Sequence, residues 1–149
     1  DPMSRRGFWA LVRSLASLGT TILVTTHFMD EAEYCDRIGL MVDGQLAALD
    51  TSAGLKNAHV PGVVFDVRGL PREDLRWLSS IDGVIHVEAF GAGFHLQVSP
   101  ESATVTSLGK LVTERSPQAK AEVIEPTLED VFLQVVRTAS QTQKAIRKP

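Results

Sequence analysis

The sequence predicts an α/β segment followed by an α+β domain with the ferredoxin-like element order βαββαβ. A run of apolar and β-branched residues at 21–26 is typical of a strand buried between two layers, as in a parallel sheet. After residue 62, short stretches of alternating apolar residues are interleaved with stretches of helical periodicity. Helices packed on an antiparallel sheet give that pattern. The turn-rich sequence at 59–62 separates the two parts.

We therefore expect three regions: a segment at 1–58, a domain at 59–137 and a flexible basic tail at 138–149. With 44% hydrophobic and 22% charged residues, the 149-residue chain has the composition of a soluble globular protein. Its net charge of -3 argues against a nucleic-acid binder. Its single cysteine excludes an internal disulfide framework.

The first segment is predicted to begin with a helix. Asp1 is an acidic cap, Pro2 occupies the first helical position, and Gly19 ends the helix. Apolar residues between them recur at helical spacing, namely Phe8, Leu11, Val12, Leu15 and Leu18. The buried strand at 21–26 follows.

His27 comes directly after that strand. Open α/β sheets bind their ligands beyond the carboxyl ends of strands, so His27 is the leading candidate functional residue. A surface loop or cap position is the plainer alternative. The acidic residues that follow, Asp30, Glu31 and Glu33, are explained by the dipole of a short helix and by solvent, not by a metal.

Two further strands and a short helix complete the first segment. Strands at 38–42 and 45–49 are joined by Asp43-Gly44, a strong hairpin turn, and Thr51 caps the helix. A strand buried on both faces needs more sheet neighbours than 58 residues supply. We therefore expect this segment to be part of a larger α/β domain.

In the second segment, strands are expected at 63–68, 85–89, 94–98 and 120–124, with helices at 71–80 and 102–115. The strand at 63–68 is expected to bury one face only. A final helix begins at Thr127, whose hydroxyl forms a capping box with Asp130.

Four polar residues alternate along the hairpin formed by the second and third of these strands: His86, Glu88, His95 and Gln97. Two histidines and a carboxylate can bind zinc. Alternation more simply places them on a solvent-facing side, which is the preferred interpretation. Such a face could equally be an interaction surface.

The order DP…SR…TTHFMDEAE..CDRIGLMVDGQLAALDT, over residues 1–57, resembles the C-terminal part of ABC-transporter ATP-binding subunits. The class is that of ABC-2-type exporters of the daunorubicin-resistance type. Asp50 departs from the family's usual Gly, and Ser52 replaces a common Pro. The run EPTLEDVF at 125–132 resembles the closing motif of the C-terminal domain in the same class.

The resemblance implies a partial P-loop NTPase fold of the ABC ATPase type. It matches His27 to the switch histidine of the H-loop, which positions the γ-phosphate and the attacking water. It matches Asp1 to the last residue of the D-loop, which couples two ATP sites across a dimer. ATP and Mg are the implied cofactors, and a membrane-spanning permease and a second ATPase copy are the implied partners, with no nucleic acid. The implied location is cytoplasmic, at the inner face of the cell membrane.

The sequence contains no phosphate-cradling G-x-x-x-x-G-K-[ST] loop, because Gly109-Lys110 is preceded by Thr104 where the first glycine belongs. The signature motif and the Walker B acid are also absent. We therefore expect this chain by itself neither to bind ATP tightly nor to hydrolyse it, and no metal site is expected. A stand-alone interaction or ligand-sensing module is the alternative function.

Overall fold

The computed structural model describes residues 2–146, with side chains described for residues 4–140. The first segment contains three helices and a hairpin: α1 (Pro2–Ser17), α2 (Met29–Ala32), β1 (Ile38–Val42), β2 (Gln45–Asp50) and α3 (Ser52–His59). The second contains β3 (Val63–Arg68), α4 (Leu75–Ser79), β4 (Val84–Phe90), β5 (Gly93–Val98), α5 (Thr104–Arg115), β6 (Lys120–Ile124) and α6 (Leu128–Ile146).

Two antiparallel sheets form, so the fold is mixed α/β. β1 and β2 make a two-stranded hairpin, and the larger sheet has the order β4-β5-β3-β6. The predicted Asp43-Gly44 turn is confirmed, with positive φ angles of 50° and 76° at the two residues. Two positive φ values in succession suit the right-handed twist of a hairpin.

The larger sheet is covered on both faces. One face carries Phe65, Val67 and Leu96, which pack with Leu78 of α4 and Leu108 of α5. On the other face, Val64 packs against Leu128, Val131 and Val135 of α6. The prediction that β3 buries one face only was wrong, because Val64 is 3% exposed beneath α6.

The second core also joins the two segments. Ile38 and Leu40 of β1 and Leu55 of α3 belong to the same buried cluster as the apolar stripe of α6. Gly62 turns the chain between the segments at φ 99°, and a Cβ there would lie 2.5 Å from the carbonyl oxygen of Val98. The two segments therefore share a core at the point where the sequence predicted a boundary.

The predicted buried strand at 21–26 does not form. These residues carry no strand hydrogen bonding, and Leu23 is 94% exposed. A β-strand requires partners for its backbone groups, and no strand in the described part of the chain lies beside this one. No helix within the described residues is long and apolar enough to cross a membrane.

Candidate functional site

His27 lies on an exposed turn between the stretch at 21–26, which forms neither helix nor strand, and helix α2. Its ring packs on that of Phe28, with centroids 4.0 Å apart. Among the described side chains, none forms a hydrogen bond to the imidazole. His27 was predicted to follow a buried strand, and the structure has no strand at that position.

Thr26 fixes the turn around His27. Its hydroxyl accepts a hydrogen bond from the backbone N–H of Phe28 at 3.0 Å and donates one to Glu31 Oε2 at 2.7 Å. This local side-chain bonding replaces the backbone pairing that a strand would have given. The turn is therefore defined by contacts within six residues of sequence.

Arg5 of α1 holds the turn from the other side. Its Nε lies 2.9 Å from Glu31 Oε1, its Nη1 lies 3.7 Å from Asp30 Oδ2, and its guanidinium lies 4.7 Å from the centre of the Phe28 ring. The expectation that these acids serve only the helix dipole and solvent was therefore wrong, since both pair with α1.

Glu33 makes a different connection, to α3. Its carboxylate oxygens lie 2.7 Å from Lys56 Nζ and 2.6 Å from the Ser52 hydroxyl. Partial burial opposes ionisation of Glu33, but these two partners outweigh it and hold its pKa below the ordinary value. Asp1, the other residue matched by the family resemblance, lies outside the described residues.

A second cluster lies between the sheet and α6, and we call it the polar seam. It contains His86 and Glu88 of β4, His95 and Gln97 of β5, and Asp130 and Arg137 of α6. The preferred interpretation of a solvent-facing side was wrong for the middle of this face. His95 is 6% and Gln97 8% exposed, because α6 covers them.

The strongest contact in the polar seam joins His95 to Asp130, with Nδ1 and Oδ1 2.7 Å apart. The second oxygen of Asp130 accepts hydrogen bonds from the backbone N–H and the hydroxyl of Thr127, both at 2.8 Å. The predicted capping box is thereby confirmed. Burial opposes ionisation of Asp130, yet His95 and Thr127 lower its pKa below the ordinary value.

The open end of the polar seam contains Arg137, Glu88 and His86. Arg137 Nη1 lies 3.1 Å from Glu88 Oε2 and also contacts the His86 ring. Burial lowers the pKa of His86, the Arg137 charge lowers it further, and Glu88 opposes both. Burial and Arg137 therefore disfavour the charged form of His86.

The polar seam leaves a cavity of about 20 Å³, room for one water molecule. Gln97 donates its amide N–H to the carbonyl of Pro61, which ties the connection between the segments to β5. Within the described residues, no group of three or more His, Cys, Asp or Glu side chains is arranged to hold a metal ion. The acids of the polar seam bond Arg137, His95 and Thr127.

Sequence reasoning missed the role of Arg137 and the pairing of His95 with Asp130. The pair is separated by 35 positions, so alternation along a strand could not reveal it. A signal did exist in α6. Asp130 and Arg137 are seven residues apart, two helical turns, and therefore lie on one face of the helix.

Comparison with known proteins gives matches over both segments. The family model described as "ATP-binding protein DrrA1-3-like, C-terminal domain" matches residues 51–136, more than half of the chain. Over 56 residues, the chain is 57% identical to the "Probable multidrug ABC transporter ATP-binding protein YbhF" of Escherichia coli, covering 38% of this chain and 10% of the relative.

Two relatives match along nearly the whole chain. The "Daunorubicin resistance ATP-binding protein DrrA2" of Streptomyces coeruleorubidus is 28% identical over 97% of this chain and 47% of its own length. The "ABC transporter A family member 3" of Arabidopsis thaliana is 29% identical over 93% of this chain and 16% of its own length. The chain thus spans between a tenth and a half of these curated relatives.

The resemblance drawn from the residues of the first segment is confirmed, and it agrees with the independent match of the second. The chain belongs to the family of DrrA1-3-like ATP-binding proteins and contains their C-terminal domain.

Proposed function

We propose that this chain is part of the ATP-binding and ATP-hydrolysing subunit of an ABC exporter, which couples hydrolysis to transport across a membrane. The observation that carries the proposal is the turn at His27. It presents an exposed imidazole to which no described side chain hydrogen-bonds, on a turn held from both sides by Thr26 and Arg5. The names of the relatives, which are ABC transporter ATP-binding proteins, support the same reading.

His27 is the proposed switch histidine. Phosphoryl transfer depends mainly on positioning and on stabilising charge at the γ-phosphate. An imidazole on a fixed turn can donate a directional, charge-assisted hydrogen bond to a phosphate oxygen and orient the attacking water. Asp1 is proposed to end the D-loop and to couple the two ATP sites of a dimer.

ATP and Mg are the proposed cofactors of the complete subunit. Of the groups that hold them, the chain contributes His27 and has no phosphate-cradling loop. When bound, Mg neutralises charge on the β- and γ-phosphates. The residues here fit one edge of such a site only, so tight ATP binding by this chain alone is not expected.

The proposed fold assignment has two parts. The first segment, 1–58, is assigned to the ABC ATPase type of P-loop NTPase. The domain at 59–137 is assigned to the ferredoxin-like class, which the antiparallel order β4-β5-β3-β6 supports. The proposed basic tail, 138–149, overlaps the C-terminal part of α6, which extends to Ile146.

The proposed partners are a membrane-spanning permease and a second copy of the ATPase subunit, at the cytoplasmic face of the cell membrane. No nucleic-acid partner is proposed, given the net charge of -3. The first segment also exposes apolar side chains, including Leu11, Leu18 and Leu23. Such surface favours association with another protein surface.

The test is made on the product of the gene read in frame from upstream of Asp1. We expect a Walker A loop and a signature motif there, and ATP hydrolysis that His27→Ala lowers by roughly a hundredfold, as for a positioned proton-transfer group. ATP binding should persist. His59→Ala, at the end of α3, is the matched control and should leave hydrolysis unchanged. An upstream stop codon without those motifs would favour the interaction module instead.

A further inference from the structure

A cleft of about 410 Å³ lies between α1 and α2, on the side of α1 that carries Arg6, Trp9 and Arg13. This volume is within the range of binding pockets. The three residues recur at helical spacing, so they line one face. Tyr34 lies opposite, with its ring centre 5.2 Å from that of Trp9. The proposed ATPase chemistry does not use this cleft.

The cleft has an aromatic wall with an unused donor. Trp9 is 3% exposed, and its indole Nε1 is buried with no hydrogen-bond partner among the described residues. Buried polar groups in native proteins nearly always have a partner. The indole N–H of Trp9 thus lacks, among the described residues, the acceptor that a buried donor needs.

The cleft also has cationic groups that the protein does not neutralise. Arg5 is paired with Glu31 and Asp30 on its rim. In contrast, no carboxylate of the described side chains lies within ion-pair distance of Arg6 or Arg13. Arg13 is instead held over the Tyr34 ring, 5.8 Å from its centre. Two guanidinium groups are therefore available to an anionic ligand.

We propose that this cleft binds an acidic peptide segment of a partner protein, in which two carboxylates flank an apolar residue. Arg6 and Arg13 are seven residues apart on α1, which is about 10 Å of helix rise. Acidic residues three apart in an extended polyproline-type peptide are about 9 Å apart on the same side. Each guanidinium takes one carboxylate in a forked hydrogen bond. The apolar residue packs on Trp9 and Tyr34.

Spacing favours a peptide over a free phosphate. A single phosphate is one compact anion, whereas the cleft places its two unpaired cations about two helical turns apart with aromatic rings between them. A ligand with two separate acids and an apolar centre uses all of these groups.

The experiment titrates the ¹⁵N-labelled chain with the capped peptide Glu-Leu-Ala-Glu and follows the indole N–H resonances. The chain has two tryptophans, so Trp77→Phe assigns them. We expect a saturable shift of the Trp9 resonance and none of the Trp77 resonance. The neutral peptide Gln-Leu-Ala-Gln should bind at least about tenfold more weakly, which corresponds to about 1.4 kcal/mol. Added salt should weaken the binding of the acidic peptide.

The double variant R6Q/R13Q should lose about tenfold in affinity for the acidic peptide. The matched control R76Q/K110Q makes the same change in net charge on α4 and α5 and should bind as the wild type does. Equal binding of the two peptides, an unaffected R6Q/R13Q variant, or no saturable shift would overturn the proposal. A Trp9 shift as large with inorganic phosphate would also overturn it, in favour of a small-anion site.

Discussion

The His27 turn and the polar seam use the same kinds of side chain for opposite purposes. Each combines a histidine, acidic residues and an arginine. In the turn, Arg5 and Thr26 hold the acids while the imidazole stays exposed and unbonded. In the polar seam, His95 is itself the partner of Asp130 and is 6% exposed. Burial therefore decides which histidine is available to a ligand and which one holds a helix in place.

The largest effect is expected from a substitution that breaks the polar seam. Asp130→Ala removes the carboxylate half of the capping box of α6 and leaves His95 buried without its partner, so we expect a loss of about 3 kcal/mol in unfolding free energy. Urea unfolding followed by circular dichroism measures it. Glu129→Ala, at the exposed neighbouring position, is the control and should change stability by less than about 0.5 kcal/mol. A loss that small for Asp130→Ala would show that the pair does not hold α6.

The polar seam should also make stability depend on pH. The pKa of His86 is lowered by burial and by Arg137, with Glu88 opposing, so the unfolded chain binds this proton more readily. Stability from neutral His86 is present above its unfolded pKa of about 6.5 and is lost as pH falls toward its folded pKa.

Asp130 acts in the same direction at lower pH. Its pKa is lowered, so its stabilising effect is present above an unfolded pKa of about 3.9 and is lost as pH falls through the folded value. Urea midpoints between pH 7 and 3 should decline in both windows. His86→Gln should flatten the upper window alone, and an unchanged profile in that variant would contradict the assignment.

A smaller effect is expected at the His27 turn. Arg5→Ala removes the ion pair with Glu31 and the contact with Phe28, at a cost of about 1 kcal/mol or less because the site is partly exposed. The informative result is local. Amide exchange should speed up at residues 26–32 and stay constant in β5. Equal acceleration in both regions would mean that the turn is not an independent unit.

The smallest expected effect tests the stretch at 21–26, before His27. Leu23 is 94% exposed, so Leu23→Ser should change the unfolding free energy by less than about 0.5 kcal/mol. Leu128→Ala, in the second core at 2% exposure, is the contrasting variant and should cost about 2–5 kcal/mol. A cost of that size for Leu23→Ser would show that Leu23 is buried, as the predicted strand at 21–26 requires.

Local patterns predicted local structure well. The Asp43-Gly44 turn, the Thr127 and Asp130 capping box and the βαββαβ order all depend on neighbours within a few residues, and all appear in the structure. Alternation failed where a distant element intervened. Val64, His95 and Gln97 look like residues of an open face until α6, at least 30 positions later, covers them.

The candidate functional residues also divide into those that the sequence could indicate and those that it could not. His27 could be named from sequence because the family pattern around it is contiguous and its turn is built by Thr26 and Glu31 close by. The polar seam could not, because a strand pattern contains no information on which helix lies against it. The cleft beside Trp9 is intermediate, since α1 displays Arg6 and Arg13 at helical spacing but α2 and Tyr34 complete it.

The sequence by itself thus determined the family and the order of elements in the second segment, since turns, caps and motifs are encoded over short distances. Tertiary structure alone decided that residues 21–26 stay unpaired and that α6 seals the polar seam, joining the hairpin of the first segment to the sheet of the second. The physical reason is that strand pairing and burial are interactions between distant parts of a chain. The local sequence pattern indicates a preference for strand pairing or burial, but it does not identify the distant residues that form the contact.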